Sequence, residues 1–339
     1  MLLRVAILAT ILIPSTALGQ ASLRSLPKAA LAGWNSRPLD ASARVAGPAP
    51  LHSVVDSLPR SVFEAPASEL PKVELELMTR GDSGGNFEGG AASLETRRGG
   101  WRAMVTQADD DSIFAAELGV EGSFYSFAGA PPLGGISAAP FNDLYRTQLG
   151  FSYAQRPQIG HIGHFEGVEV TFGGEDNVQA TDGATGGLLG GLRYRAAENL
   201  TLAAGVAALS RLDDDAWIWP FLGFDWQVSD TVNFEILGPD IELGWNASDS
   251  LRGFLSAEYD LRQYRLNEDG PTGGAAFRDE SIRVGGGLEW RPKRALKLRL
   301  EGGVAYWREL TLLPTDGSAS SESELDPSPY LGFELVYSF

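Results

Sequence analysis

From residue 72 to the last residue, hydrophobic and polar positions alternate in segments separated by turn-forming residues. Four segments show this most clearly: 145–154, 282–290, 296–306 and 331–339. A period of two places successive side chains on opposite faces of a β-strand. The chain is therefore expected to be all-β, with one apolar and one polar face on each strand.

Alternation alone also fits a soluble β-sandwich, whose core face is apolar. Strand length separates the two folds, because several segments run about ten residues or more, the length that crosses a membrane at a tilt. Sandwich strands usually have about five or six residues. We predict a transmembrane up-and-down antiparallel β-barrel over residues 72–339. Its 14 strands are expected near 72–80, 99–106, 112–127, 143–155, 164–173, 186–195, 199–209, 217–228, 231–237, 241–246, 250–265, 280–291, 296–311 and 329–339. Without the first two, whose alternation is weakest, the count is 12.

The gaps between the segments alternate in length. Short turns are expected at 196–199, 229–230, 247–249 and 291–294, and longer or more acidic gaps at 174–185, 211–216, 267–279 and 313–328. Gly238-Pro239 is a tight turn on the long-gap side. Short turns at one rim and long loops at the other are typical of outer-membrane barrels, and an even strand number places both chain ends at the short-turn, periplasmic rim.

Large aromatic residues recur near the short turns, on the apolar side of the strands that run toward that rim. They are Tyr153, Tyr194, Trp226, Trp245, Trp290 and Tyr337. Tyrosine and tryptophan prefer the membrane interface, where the ring meets lipid and the polar edge meets water. The positions predict an aromatic girdle.

The opposite face of the strands is rich in charge and is expected to line a lumen. The predicted lumen-lining residues are Arg146, Arg193, Arg195, Asp225, Glu235, Glu242, Arg252, Glu258, Asp260, Arg262, Arg283, Glu289, Arg299 and Glu301, joined by Glu169, Lys297 and Glu334. A dry soluble core does not hold so many charges, because unpaired buried charges are prohibitive. Trp219, Phe221, Phe254, Tyr264 and Trp307 are also expected to point inward, which favours a filled lumen.

The first residues have the pattern of a secretory signal peptide. Arg4 precedes the apolar run 5–13, and small residues follow up to Ala21. This order is typical of export, and the run is shorter than the roughly 20 apolar residues of a membrane-spanning helix. We expect a signal peptide over residues 1–20, cleaved near 19–21, and an irregular periplasmic tail over residues 21–71, which proline interrupts repeatedly.

The composition excludes several functions. The net charge of -17 speaks against nucleic acid as a partner, because phosphates call for a basic surface. The chain has no cysteine, so no disulfide is expected. No cofactor is expected.

The segment Tyr330–Phe339 resembles the C-terminal assembly motif of bacterial outer-membrane β-barrel proteins. In that motif a terminal phenylalanine follows apolar or aromatic residues at alternate positions, here with Tyr337 and Phe339 as the key residues. The resemblance implies recognition by the barrel-assembly machinery. The stretches 219–224, 237–239, 241–245 and 251–259 also resemble a family of exported barrels described only as a domain of unknown function.

Candidate chemistry is sparse. His161 and His164 have a metal-ligand spacing, but a zinc site needs three or four ligands, so no metal is expected. The acidic runs 109–111 and 213–215 have the oxygen ligands that calcium uses, without the spacing of a calcium loop. We interpret them as solvated loop charge; divalent ions that bridge 213–215 to lipopolysaccharide phosphates are an alternative.

No catalytic residue is expected, and the chain is not expected to be an enzyme. A serine–histidine arrangement has only His161 or His164 available on the barrel, with no obvious nucleophile beside either. Glu258, Asp260 and Asp225 would form an acid cluster, but Arg252 and Arg262 are better interpreted as their ion-pair partners.

The favoured hypothesis is an outer-membrane, porin-like pore or transport barrel for small solutes, whose lumen charges set selectivity. A closed structural or interaction barrel is the alternative, and a membrane-embedded enzyme is the third hypothesis. Its expected partners are outer-membrane lipid, lipopolysaccharide and the barrel-assembly machinery. The solute and the oligomeric state are left open.

Deleting Phe339 is expected to impair barrel assembly strongly, because it removes the last residue of the assembly motif. Replacing His164 by alanine is expected to leave assembly unchanged. The heat-modifiable gel migration of outer-membrane fractions measures both. Equal effects of the two changes would contradict the role assigned to the motif.

Overall fold

The computed structural model describes residues 71–87, 90, 92–129, 133, 140–141, 143–315 and 320–339. The signal peptide and all of the tail except Pro71 lie outside these residues, so both stay predictions. Within the described residues no helix has the length and apolar character needed to cross a membrane.

Fifteen strands make up the described chain, and most are longer than ten residues, as their alternation predicts. They are β1 (Lys72–Asn86), β2 (Ser93–Ala108), β3 (Ser112–Ala128), β4 (Leu144–Gln155), β5 (Ile162–Glu175), β6 (Ala184–Ala197), β7 (Leu200–Arg211), β8 (Asp214–Gln227), β9 (Val232–Leu237), β10 (Asp240–Ser248), β11 (Leu251–Arg265), β12 (Ala276–Lys293), β13 (Leu296–Leu313), β14 (Ser321–Leu325) and β15 (Ser328–Ser338).

The strands form a closed antiparallel barrel. Each strand from β1 to β13 pairs with the next along the chain, and β15 pairs with both β13 and β1. The backbone N–H of Phe339 donates to the carbonyl of Val73 at 2.8 Å, so the ladder extends to the last residue. The fold is therefore the predicted barrel of 14 wall strands, and the alternative of 12 is wrong.

The fourteenth wall strand consists of β14 and β15 together. Leu312 pairs with Ser321 and Arg308 with Leu325, and the same register continues below a break where Ala305 pairs with Ser328. The break falls at Asp326-Pro327, where proline has no N–H for the ladder. Residues 321–325 of the gap expected at 313–328 are thus strand.

The gap predicted at 211–216 as longer or more acidic is acidic but not long. The structure has a two-residue turn there, Leu212-Asp213, between β7 and β8. Asp213 has a φ of 54°, in the left-handed region that aspartate tolerates better than most residues. Gly238-Pro239 forms the expected tight turn between β9 and β10.

The outer face of the wall is apolar. Phe151, Leu188 and Leu288 are 46%, 53% and 53% exposed, respectively, although each belongs to a long, fully paired strand. The six residues of the expected girdle also lie on this face, each within a few residues of a short turn or the chain end. Five of them are exposed, and Tyr153 is half-buried.

One sector of the wall, formed by β9 and β10 and called the low sector, is shorter than the rest. β9 and β10 have only six and nine residues, and the N–H of Gly238 in their turn donates to the carbonyl of Leu222 on β8. Above that level, residues 214–222 of β8 have no strand partner on this side. Pro220 lies at this free edge. Its backbone N points to the same side of the strand as the backbone groups of Leu222, two residues later, so an N–H at position 220 would lack a partner. Proline has no such N–H.

Next to the low sector, the wall bends into the barrel. β11 pairs with β10 only as far as Ala257, and its end contacts β5 through a parallel bridge between Arg265 and Gly174. Both faces of this upper half of β11 are buried, with Leu261 on one face and Tyr264 on the other. Toward the long-loop rim the lumen is therefore enclosed by nine strands: β1–β5, β11–β13 and the fourteenth wall strand.

Two apolar clusters fill the interior. The first packs the inner faces of β5–β8 against the bent part of β11, and includes Phe165, Leu209, Phe221, Tyr259 and Leu261. The second lies inside the nine-strand enclosure near the long-loop rim. The space between and below them holds the charged residues.

Candidate functional site

A cavity of about 1000 Å³ occupies the barrel interior on the short-turn side. Its lining begins at the rim with Pro71, Arg294 and Phe339. It extends inward to Arg98 and Asp260, which close its inner end. The charged side chains of the cavity are the candidate functional site.

The wall of the cavity formed by β10, β11 and β13 carries paired charges. Glu242 is buried and accepts from Arg252 at 2.7 Å and from Arg299 at 3.0 Å. The Arg299 guanidinium also lies 3.7 Å from the centroid of the Phe254 ring, a cation–π contact. Phe254 thus points inward, as expected, and packs against a charge of the lumen wall.

Arg80 on β1 reaches across the cavity and contacts two carboxylates. It lies 2.7 Å from Glu258 on β11 and forms a shorter ion pair with Glu301 on β13. The side chains of Arg80 and Glu258 are 23% and 21% exposed, so water in the cavity reaches this level.

The inner end of the cavity is closed by bidentate pairing. Arg262 on β11 donates to both oxygens of Glu121 on β3, at 2.7 Å and 2.9 Å, and also pairs with Asp260. Arg98 on β2 bridges Asp260 at 3.2 Å and Asp279 at 2.6 Å. These bonds tie the bent part of β11 to the wall on the other side of the lumen.

Above this layer lies a second one with almost no exposure to solvent. Arg308 donates to both oxygens of Asp279 at 2.9 Å and 2.7 Å, and the hydroxyl of Tyr125 donates to Asp279 at 2.7 Å. Arg283 is fully buried and reaches Asp260 at 2.8 Å and Glu258 at 3.2 Å. Buried charges need partners of this quality to offset their desolvation.

Asp82 is the weakly bonded member of the network. Its oxygens lie 3.9 Å from Arg283 Nε and 3.8 Å from Arg308 Nη1, beyond hydrogen-bond distance, and neither has a hydrogen-bond partner. The network is therefore weakly connected between β1 and the β12–β13 pair.

An aromatic cap covers the second layer on the long-loop side. Phe141 contacts Phe277 with ring centroids 4.4 Å apart, and Tyr125 lies 5.4 Å from each of them. Tyr264 and Phe127 extend the cap. The long gap expected at 267–279 takes part, but through Phe277, which belongs to β12.

The predicted lumen residues fall into three groups. Eleven line the cavity: Glu235, Glu242, Arg252, Glu258, Asp260, Arg262, Glu289, Lys297, Arg299, Glu301 and Glu334. Arg283 lies in the buried layer above. The remaining five lie along β4–β8, where Arg146 pairs with Glu169 at 3.5 Å, Arg193 is buried, Asp225 is half-buried and Arg195 contacts Glu198 at the short-turn rim.

The structure brings in residues that the sequence did not single out, namely Arg80, Asp82, Arg98, Glu121, Asp279 and Arg308. Asp82 and Arg98 lie just beyond the predicted ends of the first two strands, and Asp279 lies in a predicted gap. Arg308 follows a bulge opposite Ile282 and Arg283, which shifts the alternation of β13 by one residue. Trp307, expected to face the lumen, instead packs partly buried against the first apolar cluster, and Trp219 is 37% exposed.

None of the candidate metal positions lines the cavity. His161 and His164 are exposed and contact Ile159 and Gln155. Among the described residues, no group of three histidine or carboxylate side chains is placed to hold a metal ion. The N–H groups of Asp111 and Ser112 donate to the Asp109 carboxylate and lower its pKa, and Asp213 pairs with Arg265.

No protein-family model matches the chain, and no curated protein matches its sequence. The resemblance to the family of unknown function therefore stays a prediction. Among solved structures, the Pseudomonas putida toluene transporter TodX aligns over 84% of this chain and 93% of its own, with 12% identity and a TM-score of 0.43. A Pseudomonas aeruginosa FadL homologue aligns over 79% and 90%, with 9% identity and a TM-score of 0.42. The translocator domain of the Neisseria meningitidis autotransporter NalP aligns over 83% and 93%, with 14% identity and a TM-score of 0.34. None of these TM-scores reaches 0.5.

Replacing Asp279 by alanine is expected to destabilise the barrel by about 3–5 kcal/mol, because it leaves Arg98 and Arg308 buried without their shared partner. The matched control is Glu95→Ala, which breaks the exposed pair with Arg97 and is expected to cost about 0–1 kcal/mol. Urea titration of the folded fraction in liposomes measures both. Similar midpoints for the two variants would contradict the structural role of the buried layer.

Proposed function

We propose that this chain is an outer-membrane transport barrel that passes small solutes through its charged interior. The observation that carries the proposal is the cavity itself. It reaches one rim of the barrel and ends inside at a layer of ion pairs rather than at a packed apolar core. The solute path runs from this cavity through the charged layers to the long-loop rim.

The two faces of the wall support the membrane location. Leucine, valine and phenylalanine side chains are exposed on the outside, while arginine and carboxylate side chains are buried inside. A soluble barrel has the reverse arrangement, because its apolar residues must leave water. In lipid, an arginine or lysine on the outer face would cost about 2–4 kcal/mol near the midplane.

The membrane location requires export, which we assign to the signal peptide at residues 1–20. The last strand, with Tyr337 and Phe339, is the segment proposed to meet the barrel-assembly machinery. Lipid and lipopolysaccharide are the proposed surroundings of the outer face. The aromatic residues near the short turns then lie at the periplasmic interface.

The charges favour transport over a purely structural barrel. A well-packed apolar interior of equal volume is often as stable as a buried ion-pair network, or more stable. Stability therefore does not require Arg98, Arg283 and Arg308 to be buried in the lumen. A solute path does use them, because rings of charged side chains select what passes.

The second candidate is a closed structural barrel. The observation in its favour is the filled nine-strand enclosure, in which the aromatic cap and the paired charges leave no continuous path to the long-loop rim. Barrels of about eight strands have interiors just wide enough for their own side chains. A conductance measurement separates the two candidates.

Purified protein in planar bilayers is expected to show brief, discrete conductance steps. The double variant Asp279→Ala/Arg308→Ala removes one charge of each sign from the constriction and is expected to lengthen the open periods on the order of tenfold. The control Glu95→Ala/Arg97→Ala breaks an exposed ion pair between residues that do not line the cavity, and it is expected to leave the steps unchanged.

Heat-modifiable migration first establishes that each variant has folded. Folded, inserted protein without discrete steps, in the natural chain and in the double variant alike, would contradict transport and leave the closed barrel.

A further inference from the structure

We propose that the upper half of β11, residues 258–265, is a gate that works by changing its strand partner. In the structure it lies inside the barrel against β5; in the open state it joins the free edge of β8. This inference rests on the proposed transport function and names how that path is regulated.

Two strand edges in the same part of the wall lack regular partners. Residues 214–222 of β8 have no ladder partner on the β9 side. β11 stays paired with β12 along its whole length, but on its other edge the ladder with β10 ends at Ala257 and the next bridge is the one at Arg265. β8 and β11 run in opposite directions, so they can form an antiparallel ladder. The bridge to β5 is parallel and is the only parallel pairing among the described strands.

The residues of β11 have the pattern of a lipid-facing wall as far as Leu261, and the polar Gln263 and Arg265 share this face closer to the long-loop rim. Leu251 and Leu255 are on the outer face, and the same alternation continues with Tyr259 and Leu261. Yet Tyr259 and Leu261 are buried inside the barrel, against the apolar cluster that includes Phe221. Moving the segment outward would place this face toward lipid and keep Asp260 and Arg262 toward the lumen.

The closed position depends on glycine at the β5 contact. A Cβ on Gly173 would overlap the carbonyl oxygen of Gln263, and a Cβ on Gly183 would overlap the carbonyl oxygen of Gly173. Polar bonds hold the closed position from two sides. On the outside, Arg265 pairs with both oxygens of Asp213 and donates to the carbonyl of Asp182 at 3.2 Å, and the N–H of Leu212 donates to Gln263 Oε1 at 3.1 Å. On the lumen side, the ion pairs of Arg262 and Asp260 with the opposite wall must break when the segment moves.

The partner change would widen the lumen. With β11 on β8, the enclosure at this level comprises β1–β8, β11–β13 and the fourteenth wall strand, which makes 12 strands instead of nine. Barrel diameter grows roughly linearly with strand number, and eight strands leave no free interior. The change also exposes Leu209 and Phe221 to the lumen, so the closed state is favoured until a solute covers them.

The wall predicts the register of the open state. Gly223 pairs with Leu237, Leu237 with Asp240, and the β10–β11 ladder continued by one residue places Glu258 at the same level. Extending this level upward brings Ile218 opposite Gln263. A pair of cysteines at these two positions therefore reports the open state.

The first test uses Gly173→Val, whose side chain cannot fit against Gln263. Its open probability in planar bilayers is expected to rise on the order of tenfold. The control is Gly186→Val on β6, where a Cβ would meet only the carbonyl oxygen of Glu169, at an ordinary 3.7 Å. An unchanged open probability in folded Gly173→Val would count against the gate.

The second test does not depend on conductance. The chain has no cysteine, so engineered pairs are unambiguous. Ile218→Cys/Gln263→Cys is expected to form little disulfide alone and several-fold more when Gly173→Val is added. Gly174→Cys/Arg265→Cys, at the parallel bridge that marks the closed position, is expected to do the reverse, and its disulfide is expected to abolish conductance until it is reduced.

The two proposals fail separately. Disulfide yields that do not change when Gly173→Val is added would overturn the gate. The transport proposal would still stand if Asp279→Ala/Arg308→Ala conducts. Yields that respond as expected, in protein that never conducts under any condition, would support the movement of β11 and overturn transport.

Discussion

The hydrogen bonds between β1 and β15 close the wall, and every other property of the interior depends on that closure. They join residues 74–82 to 330–338 in one register, and the N–H of Phe339 continues the series to Val73. A closed ring pairs almost all of its strand edges, here with exceptions at residues 214–222 of β8 and beyond Ala257 of β11, so most of its backbone groups are satisfied within the protein and an apolar outer face becomes compatible with lipid. The same closure separates a space inside, where arginine and carboxylate side chains are shielded from both lipid and bulk water.

Within that space, ion pairs and apolar packing lie on different sides of the lumen. The strands β1–β3 and β11–β13 carry the ion pairs that cross the lumen, whereas β5–β8 present alanine, leucine and phenylalanine side chains. β11 belongs to both, because its two faces have opposite character and both are buried. Its charged face completes the network around Asp260, and its apolar face completes the cluster around Phe221. The closed lumen is a consequence of this one strand leaving the wall.

The sequence predicted the wall well, because alternation over ten or more residues is a strong and local pattern. The strand count, the tight turn at Gly238-Pro239 and the inward positions of Glu242, Asp260 and Arg283 all followed from it. It failed where local pattern and three-dimensional position separate. The bulge near Tyr306 places Arg308 on the opposite face from the one that alternation predicts. Pro327 interrupts the alternation, so the pattern does not show that the last wall strand extends to β14. The bend of β11 left no trace in the pattern, since Tyr259 and Leu261 alternate as lipid-facing residues do while lying inside.

The low sector at β9 and β10 has a consequence for the surrounding bilayer. Six residues of β9 span about 20 Å along the strand, and at the usual tilt this gives a height of about 15 Å. The apolar band of such barrels is about 25 Å tall. The bilayer beside this sector of the proposed outer-membrane barrel must therefore become thinner, so that its headgroups reach the polar turn at Gly238-Pro239. One leaflet would be permanently thinner beside this sector, so the membrane around the protein is asymmetric even though the chain forms a closed ring.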